Sequence, residues 1–391
     1  MKDENVLILE LCKFLNPDGS KIEDLLARPL AFPYVLGQLC WHRMGGAAYY
    51  ILRECGLLGK VNREFRNTLK TVYDSGKAKS ESLKTALAQI AGIEHNTEFP
   101  LPYDAKGSAS FPFMYEYGRP AFAGKASFPY ALLKGAYLVS LYPEGLRTSN
   151  DIDILVNESD LSVVEKLLKL SGFLQGNIRN GIFAPASRAE IVSSRMNRGE
   201  TVPFIKEIGL PGMTYLEIDI NFSLDFKAKQ ENDAVAALLG CTQPLIETGN
   251  GNLFTLCPAD FLLHLCCHLY KEAATYAWVE MERDLSLYKF ADLYLLLHKW
   301  TDAGIYDTLA ARAVEYSQQK AVYYSMLRTK ELFGLENAAL DKLLANLKPE
   351  DASFINEIFK PDENKTYRHD ENYIDWLFMS GRKERLHEVQ T

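Results

Sequence analysis

Residues 151–156 read Asp-Ile-Asp-Ile-Leu-Val. Charged and apolar residues alternate with a period of two, the repeat of a strand and not of a helix. In a strand Asp151 and Asp153 share one face, while Ile152 and Ile154 point to the other, toward a core. Two neighbouring carboxylates repel unless a cation lies between them. Aligned carboxylates are also what a hard divalent ion such as Mg²⁺ takes as ligands. Taken alone, an Asp-x-Asp pair is most simply acidic decoration on a half-exposed edge strand. A second alternating segment changes that reading. Residues 215–224 place Glu217, Asp219 and Asn221 on one face and Leu216, Ile218, Ile220 and Phe222 on the other. A third carboxylate, Asp219 or Glu217, can therefore join the first two.

The residues just before the pair are basic or small. Residues 130–133 read as a short strand and 135–141 as a helix. A strand-to-helix turn presents backbone N–H groups to an anion, and Gly135 allows a phosphate to come close. Lys134 adds a point charge suited to phosphate. Arg147 and Ser149 precede the acids, where they can bind phosphate oxygens. Three carboxylates beside such a cradle equip a site for metal-assisted phosphoryl or nucleotidyl transfer. The third acid is then a general base or a second metal ligand.

The rest of the chain frames this core. Residues 4–16 form one apolar helical face, and 34–91 are mostly helical. Within them, an amphipathic helix runs from about 62 to 90, either unbroken or split near Gly76. Its polar face carries Arg63, Arg66, Lys70, Lys77, Lys79 and Lys84, which reads as a solvated face or, less simply, as a phosphate-tracking surface. Residues 96–129 are rich in proline and aromatics, the composition of a structured insertion. An amphipathic helix is predicted over 159–171, with Ser159 as N-cap and Gly172 as stop. Residues 173–215 are ambiguous and contain a basic cluster of Arg179, Arg188, Arg195 and Arg198. After Pro258 the chain reads as helical almost to its end, with a loose tail beyond Gly381. His264 and His268 share a helical face, but Leu265 stands where the zinc-protease pattern needs Glu, so packed histidines are the simpler reading. These divisions give a helical region at 1–95, a core at 96–250 and a helical domain at 251–391.

In sequence, Leu133-Lys134-Gly135, then Leu141-Tyr142-Pro143, then Arg147, then Asp151-Ile152-Asp153-Ile154-Leu155-Val156 resemble the uncharacterised bacterial nucleotidyltransferase family of the DNA polymerase β-like superfamily. Each part alone is a weak signal; the combination is specific. That family also has a strand of acid-apolar-His-Trp pattern. Asp219-Ile220-Asn221-Phe222 matches its register, so the resemblance assigns the third carboxylate to Asp219. Asn221 and Phe222 stand in for His and Trp, and Ala136 stands where the superfamily often has Ser or Gly. The resemblance implies an α+β fold, a small mixed β-sheet core flanked by helical regions. It implies transfer of an NMP from an NTP, with ATP the expected donor, to a hydroxyl-type acceptor with release of pyrophosphate. Two Mg²⁺ (or Mn²⁺) ions would be held by Asp151, Asp153 and Asp219, with Lys134, Gly135, Arg147 and Ser149 around the nucleotide. The alternative is a non-catalytic nucleotide-binding or interaction module of the same fold.

Composition narrows the partners. The net charge of −8 and pI near 5.5 disfavour nucleic acid as the acceptor, leaving a small molecule or a protein. No apolar run reaches the roughly 20 residues that span a bilayer, so no membrane partner is expected. The seven cysteines show no C-x-x-C spacing and read as reduced core thiols of a soluble, cytoplasmic protein.

Overall fold

A computed structural model describes residues 2–90, 128–224, 234–246 and 253–389. The expected proline- and aromatic-rich insertion at 96–129 lies outside the described residues, apart from Phe128 and Pro129. The fold is α+β and divides into two compact units, one of residues 1–75 with 262–391 and one of residues 76–261.

The second unit is built on an eight-stranded mixed sheet. Its strands are β1 (Tyr130–Leu132), β2 (Asp151–Val156), β3 (Leu174–Arg179), β4 (Ile182–Pro185), β5 (Phe204–Leu210), β6 (Met213–Asn221), β7 (Thr242–Ile246) and β8 (Leu253–Leu256). They run in the order β4-β3-β5-β6-β2-β1-β8-β7. β2 lies parallel to β6 and antiparallel to β1. The Asp-Ile-Asp segment is thus an interior strand rather than an edge, and both its neighbours fix its register. Ile152, Ile154, Ile218 and Ile220 are fully buried, packed with Leu83 and Leu87 of the helix Arg63–Ile90 and with Leu161, Val164 and Leu168 of the helix Leu161–Leu170. The alternating apolar residues of β2 and β6 supply one wall of this core, which leaves their acids on the opposite face.

The helix Arg63–Ile90 is unbroken, and Gly76 does not split it. Gly76 serves close approach instead. A Cβ there would lie 2.6 Å from the carbonyl oxygen of Gly145. One turn on, Ser80 Oγ donates to the Arg147 carbonyl at 2.7 Å, and Ser82 Oγ donates to the Pro211 carbonyl at 2.6 Å. These bonds dock the helix on the loop that enters β2 and on the turn between β5 and β6. Part of its basic face is ion-paired: Lys77 reaches Glu144 at 2.9 Å and Lys84 reaches Glu81 at 3.0 Å.

The ambiguous stretch 173–215 holds β3, β4, β5 and the helix Arg188–Arg198. Asn180 and Gly181, with φ of 52° and 78°, make the two-residue turn of the β3–β4 hairpin. Ser187 and Glu190 form a capping box, and Gly199 ends the helix in the left-handed region. Two arginines of the basic cluster are neutralised here, Arg179 by Glu190 at 2.9 Å and Arg195 by Glu165. The helix predicted from Ser159 begins at Leu161, because Glu158–Asp160 forms a 3₁₀ turn and Ser159 lies inside it.

Two further expectations are corrected. Cys241 and Cys257 are joined as a disulfide, with Cα atoms 5.8 Å apart. Their 16-residue separation hides the pairing in sequence, and the antiparallel register of β7 and β8 brings them face to face. The other five cysteines are free. In the first unit, the tail beyond Gly381 is anchored rather than loose. Arg382 is 2% exposed and holds Asp284 at 2.6 Å, and β11 (His387–Glu388) pairs with β10 (Lys365–Arg368), itself paired with β9 (Glu357–Lys360). Around them this unit is helical, from Asp3–Glu10 to Tyr373–Phe378. His264 is buried there, its ring stacked 6.4 Å from that of His268. No helix among the described residues is long and apolar enough to cross a membrane.

The Gly76–Gly145 approach is testable against helix propensity. Alanine usually stabilises a helix interior over glycine by about 1 kcal/mol. Gly76→Ala is expected to destabilise instead, by about 1–3 kcal/mol, because its methyl would meet backbone that cannot swing away. Gly37→Ala, in the helix Phe32–Trp41 with open space beside it, should show the ordinary gain. Thermal unfolding by circular dichroism reads both.

Candidate active site

The parallel pairing of β2 and β6 sets the acids opposite one another. Asp153 pairs in register with Asp219, and Asp151 with Glu217. Asp153 is 5% exposed, and its Oδ1 accepts from Lys134 Nζ at 2.6 Å and from Asn221 Nδ2 at 3.4 Å. Asp151 accepts from the Ser149 hydroxyl through a short hydrogen bond. No donor is recorded on the Asp219 carboxylate among the described residues, and Asp219 opens onto a cavity of about 610 Å³.

Lys134 sits where β1 hands over to the helix Lys134–Leu138, with φ of 43°. That is the left-handed region, which non-glycine residues enter at a cost of order 1 kcal/mol. The Leu133 N–H, just before it, donates to the Asp153 carbonyl at 2.9 Å. Lys134 is therefore tied to β2 through both backbone and side chain.

Gly135 makes a different contact from the one the sequence suggests. A Cβ there would lie 2.6 Å from both Cβ and Oγ of Ser149, and 4.0 Å from Arg147 Nη1. The glycine lets Ser149 approach the turn, so the hydroxyl absent at Ala136 arrives from the loop before β2. Arg147 is buried and donates from Nη1 to the Thr148 carbonyl at 2.5 Å. Lys134, Gly135, Arg147, Ser149, Asp151, Asp153 and Asp219 are thus brought together. Glu217 stands one pair further along, under the influence of Lys79.

The electrostatics follow from this crowding. Burial would depress the Lys134 ammonium, but the Asp153 and Asp151 carboxylates outweigh it and hold the pKa above the ordinary lysine value. Burial raises Asp153, Lys134 pulls it back, and Asp151 adds to the rise; the net shift is upward. Burial raises Asp219 well above the usual range, and the charges of Asp153, Asp151 and Glu200 add to it against only a weaker pull from Lys134. Glu217 is raised by burial and then by Asp151. The patch is short of positive charge.

Among the described residues, no three acid, histidine or cysteine side chains are gathered as a ready metal cage, and Asp153 is turned to Lys134 instead. The donor set still suits a hard cation: all-oxygen ligands on two adjacent strands, with Asp219 unbonded and both buried acids held at a cost that a cation would relieve.

Glu200 went unnoticed in the sequence. It follows the Gly199 helix stop, bridges to Asn221 on β6, and its charge reaches both Asp219 and Lys134. The Ser187-x-x-Glu190 capping signal and Gly199 bound a helix, and reading them would have put Glu200 beside the end of β6.

Residues 120–334, more than half of the chain, match the family described as "Uncharacterised nucleotidyltransferase". No curated protein and no solved structure matches the chain.

Asp219 carries a pH prediction. Its folded pKa lies above the unfolded value of about 3.9. Between the two values the folded state binds the extra proton, so its stability falls as pH rises through that window. Asp219→Asn removes this penalty. Its melting temperature should match wild type near the unfolded pKa and exceed it by a few degrees at neutral pH in metal-free buffer. Scanning calorimetry across pH measures the difference.

Proposed function

This chain belongs to the uncharacterised nucleotidyltransferase family, and from that premise we propose that it moves a nucleoside monophosphate from an NTP, ATP foremost, to a hydroxyl acceptor. The observation that carries the reading is the in-register pairing of Asp153 with Asp219 beside Lys134. Asp151, Asp153 and Asp219 would hold two Mg²⁺ (or Mn²⁺) ions, which when bound supply charge to the triphosphate and acidify the attacking hydroxyl.

The chain's own residues do the rest. Lys134 and Arg147 offer positive charge to phosphate oxygens, and the Ser149 hydroxyl supplies a donor at the Gly135 turn. Asn221 holds Asp153 in place from β6. The acceptor oxygen bonds to the α-phosphorus, the bond from that phosphorus to the bridging oxygen breaks, and pyrophosphate departs. The hydroxyl proton passes to a carboxylate of the site. Five free thiols fit the cytoplasmic setting that is part of this proposal; the Cys241–Cys257 pair does not argue for it.

The test incubates the protein with each NTP, Mg²⁺ or Mn²⁺ and cell extract, and follows transfer of an α-phosphate label together with pyrophosphate. Wild type should give both products. The double variant Asp151→Asn, Asp153→Asn should lose activity on the order of a thousandfold or more. Mg²⁺ should raise the melting temperature of wild type and leave that of the double variant in place. Equal activity in the two proteins sinks the reading. Binding of ATP without any product would point to the non-catalytic module.

A further inference from the structure

The cavity beside Asp219 deepens the proposed function and rests on it. It lies between the helix Arg188–Arg198 and the segment that follows, with Asn177 of β3 on one side and Asp219 of β6 on another. Segment 199–201 runs antiparallel to the end of β6. The Phe222 N–H donates to the Gly199 carbonyl and the Thr201 N–H to the Ile220 carbonyl, both at 2.9 Å. That pairing fixes Glu200 and Thr201 in the wall.

Two observations say that the cavity is built for a ligand. Thr201 is 3% exposed, yet its Oγ1 has no hydrogen-bond partner. An unmet buried hydroxyl costs stability, and native proteins rarely keep one without use. The Asp219 carboxylate opens into the same space with no donor recorded on it. At about 610 Å³ the cavity has the size of a small-molecule site.

The chemistry of the wall selects the ligand. Hydroxyls and an amide line it (Ser193, Ser194, Thr201 and Asn177), together with carboxylates. No lysine or arginine does. Such a wall hydrogen-bonds hydroxyl groups and repels phosphate and carboxylate. We propose that this cavity is the acceptor site, and that the acceptor is a small polyhydroxylated molecule without anionic groups, neutral or amine-bearing. Thr201 Oγ1 and Glu200 position it. One of its hydroxyls lies at Asp219 and attacks the α-phosphorus, its proton passing to the Asp219 carboxylate as pyrophosphate leaves. A phosphorylated sugar, a nucleic-acid end or a protein side chain is excluded by the same wall.

The test uses full-length protein, ATP radiolabelled in its α-phosphate, Mg²⁺, and a small-molecule cell extract split on a strong anion exchanger at neutral pH. Label should appear on a compound from the unretained fraction. With that fraction, Thr201→Val should raise the acceptor KM about tenfold, the worth of one hydrogen bond, and leave the KM for ATP unchanged; Thr201→Ser should restore it. Label only on retained compounds or on macromolecules overturns the acceptor class while nucleotidyl transfer stands. An unchanged acceptor KM in Thr201→Val overturns the assignment of the cavity. No label with any fraction or with whole extract overturns the nucleotidyl-transfer reading itself, and this inference with it.

Discussion

Repulsion among buried carboxylates is the constraint on which the second unit depends. β2 and β6 must lie side by side to bury Ile152, Ile154, Ile218 and Ile220, and that pairing sets Asp153 against Asp219. The hydrophobic gain and the electrostatic cost come from the same register. Slipping one strand by a residue would separate the acids but turn the isoleucines out of the core. The register that folds the protein is therefore also the one that concentrates negative charge. Lys134 meets part of that charge at 2.6 Å from Asp153, and to do so accepts a left-handed backbone. A charge shortage kept at the cost of stability is a common mark of a functional site.

The surroundings hold Lys134 and the acids in that arrangement. The loop entering β2 carries Arg147 and Ser149, and three bonds or close contacts pin it: Ser80 on the Arg147 carbonyl, Gly145 against Gly76, and Ser149 against Gly135. Each depends on a residue with little or no side chain. Helix, loop and turn approach closely because glycine and serine let them, and the polar side chains then have one place to go. Rigid support of this kind is what a charged site needs, since a buried ion pair gains little when its geometry is loose.

Much of this was legible in the sequence, because period-2 alternation constrains strands strongly. The strands at 151–156 and 215–224 were readable, and the match of Asp219 to the family pattern agrees with its place opposite Asp153. What was hidden depends on long-range pairing. The Cys241–Cys257 bond follows from the β7–β8 register, which no local spacing announces. The anchoring of the tail depends on Arg382 meeting Asp284, 98 residues away. Gly76 looked like a helix breaker because its reason, the Gly145 carbonyl, lies on another segment. Residues 173–215 were a different case. Their signals were local, an Asn-Gly turn and a capping box, but their polar strands lack alternation, and the arginines drew attention that their carboxylate partners cancel.

The unread stretch bears on the site as much as the alternating ones. Residues 199–201 extend the sheet along the end of β6 and bring Glu200 toward Asp219 and Lys134. Every added carboxylate raises the cost of the ones already there, so Glu200 worsens a balance that Lys134 alone does not restore. A fold selected only for stability would put a neutral or basic residue at that position. The acid makes physical sense where positive charge arrives from outside, carried by a cation or by an amine-bearing ligand, and the cavity beside Asp219 gives such charge a place to enter.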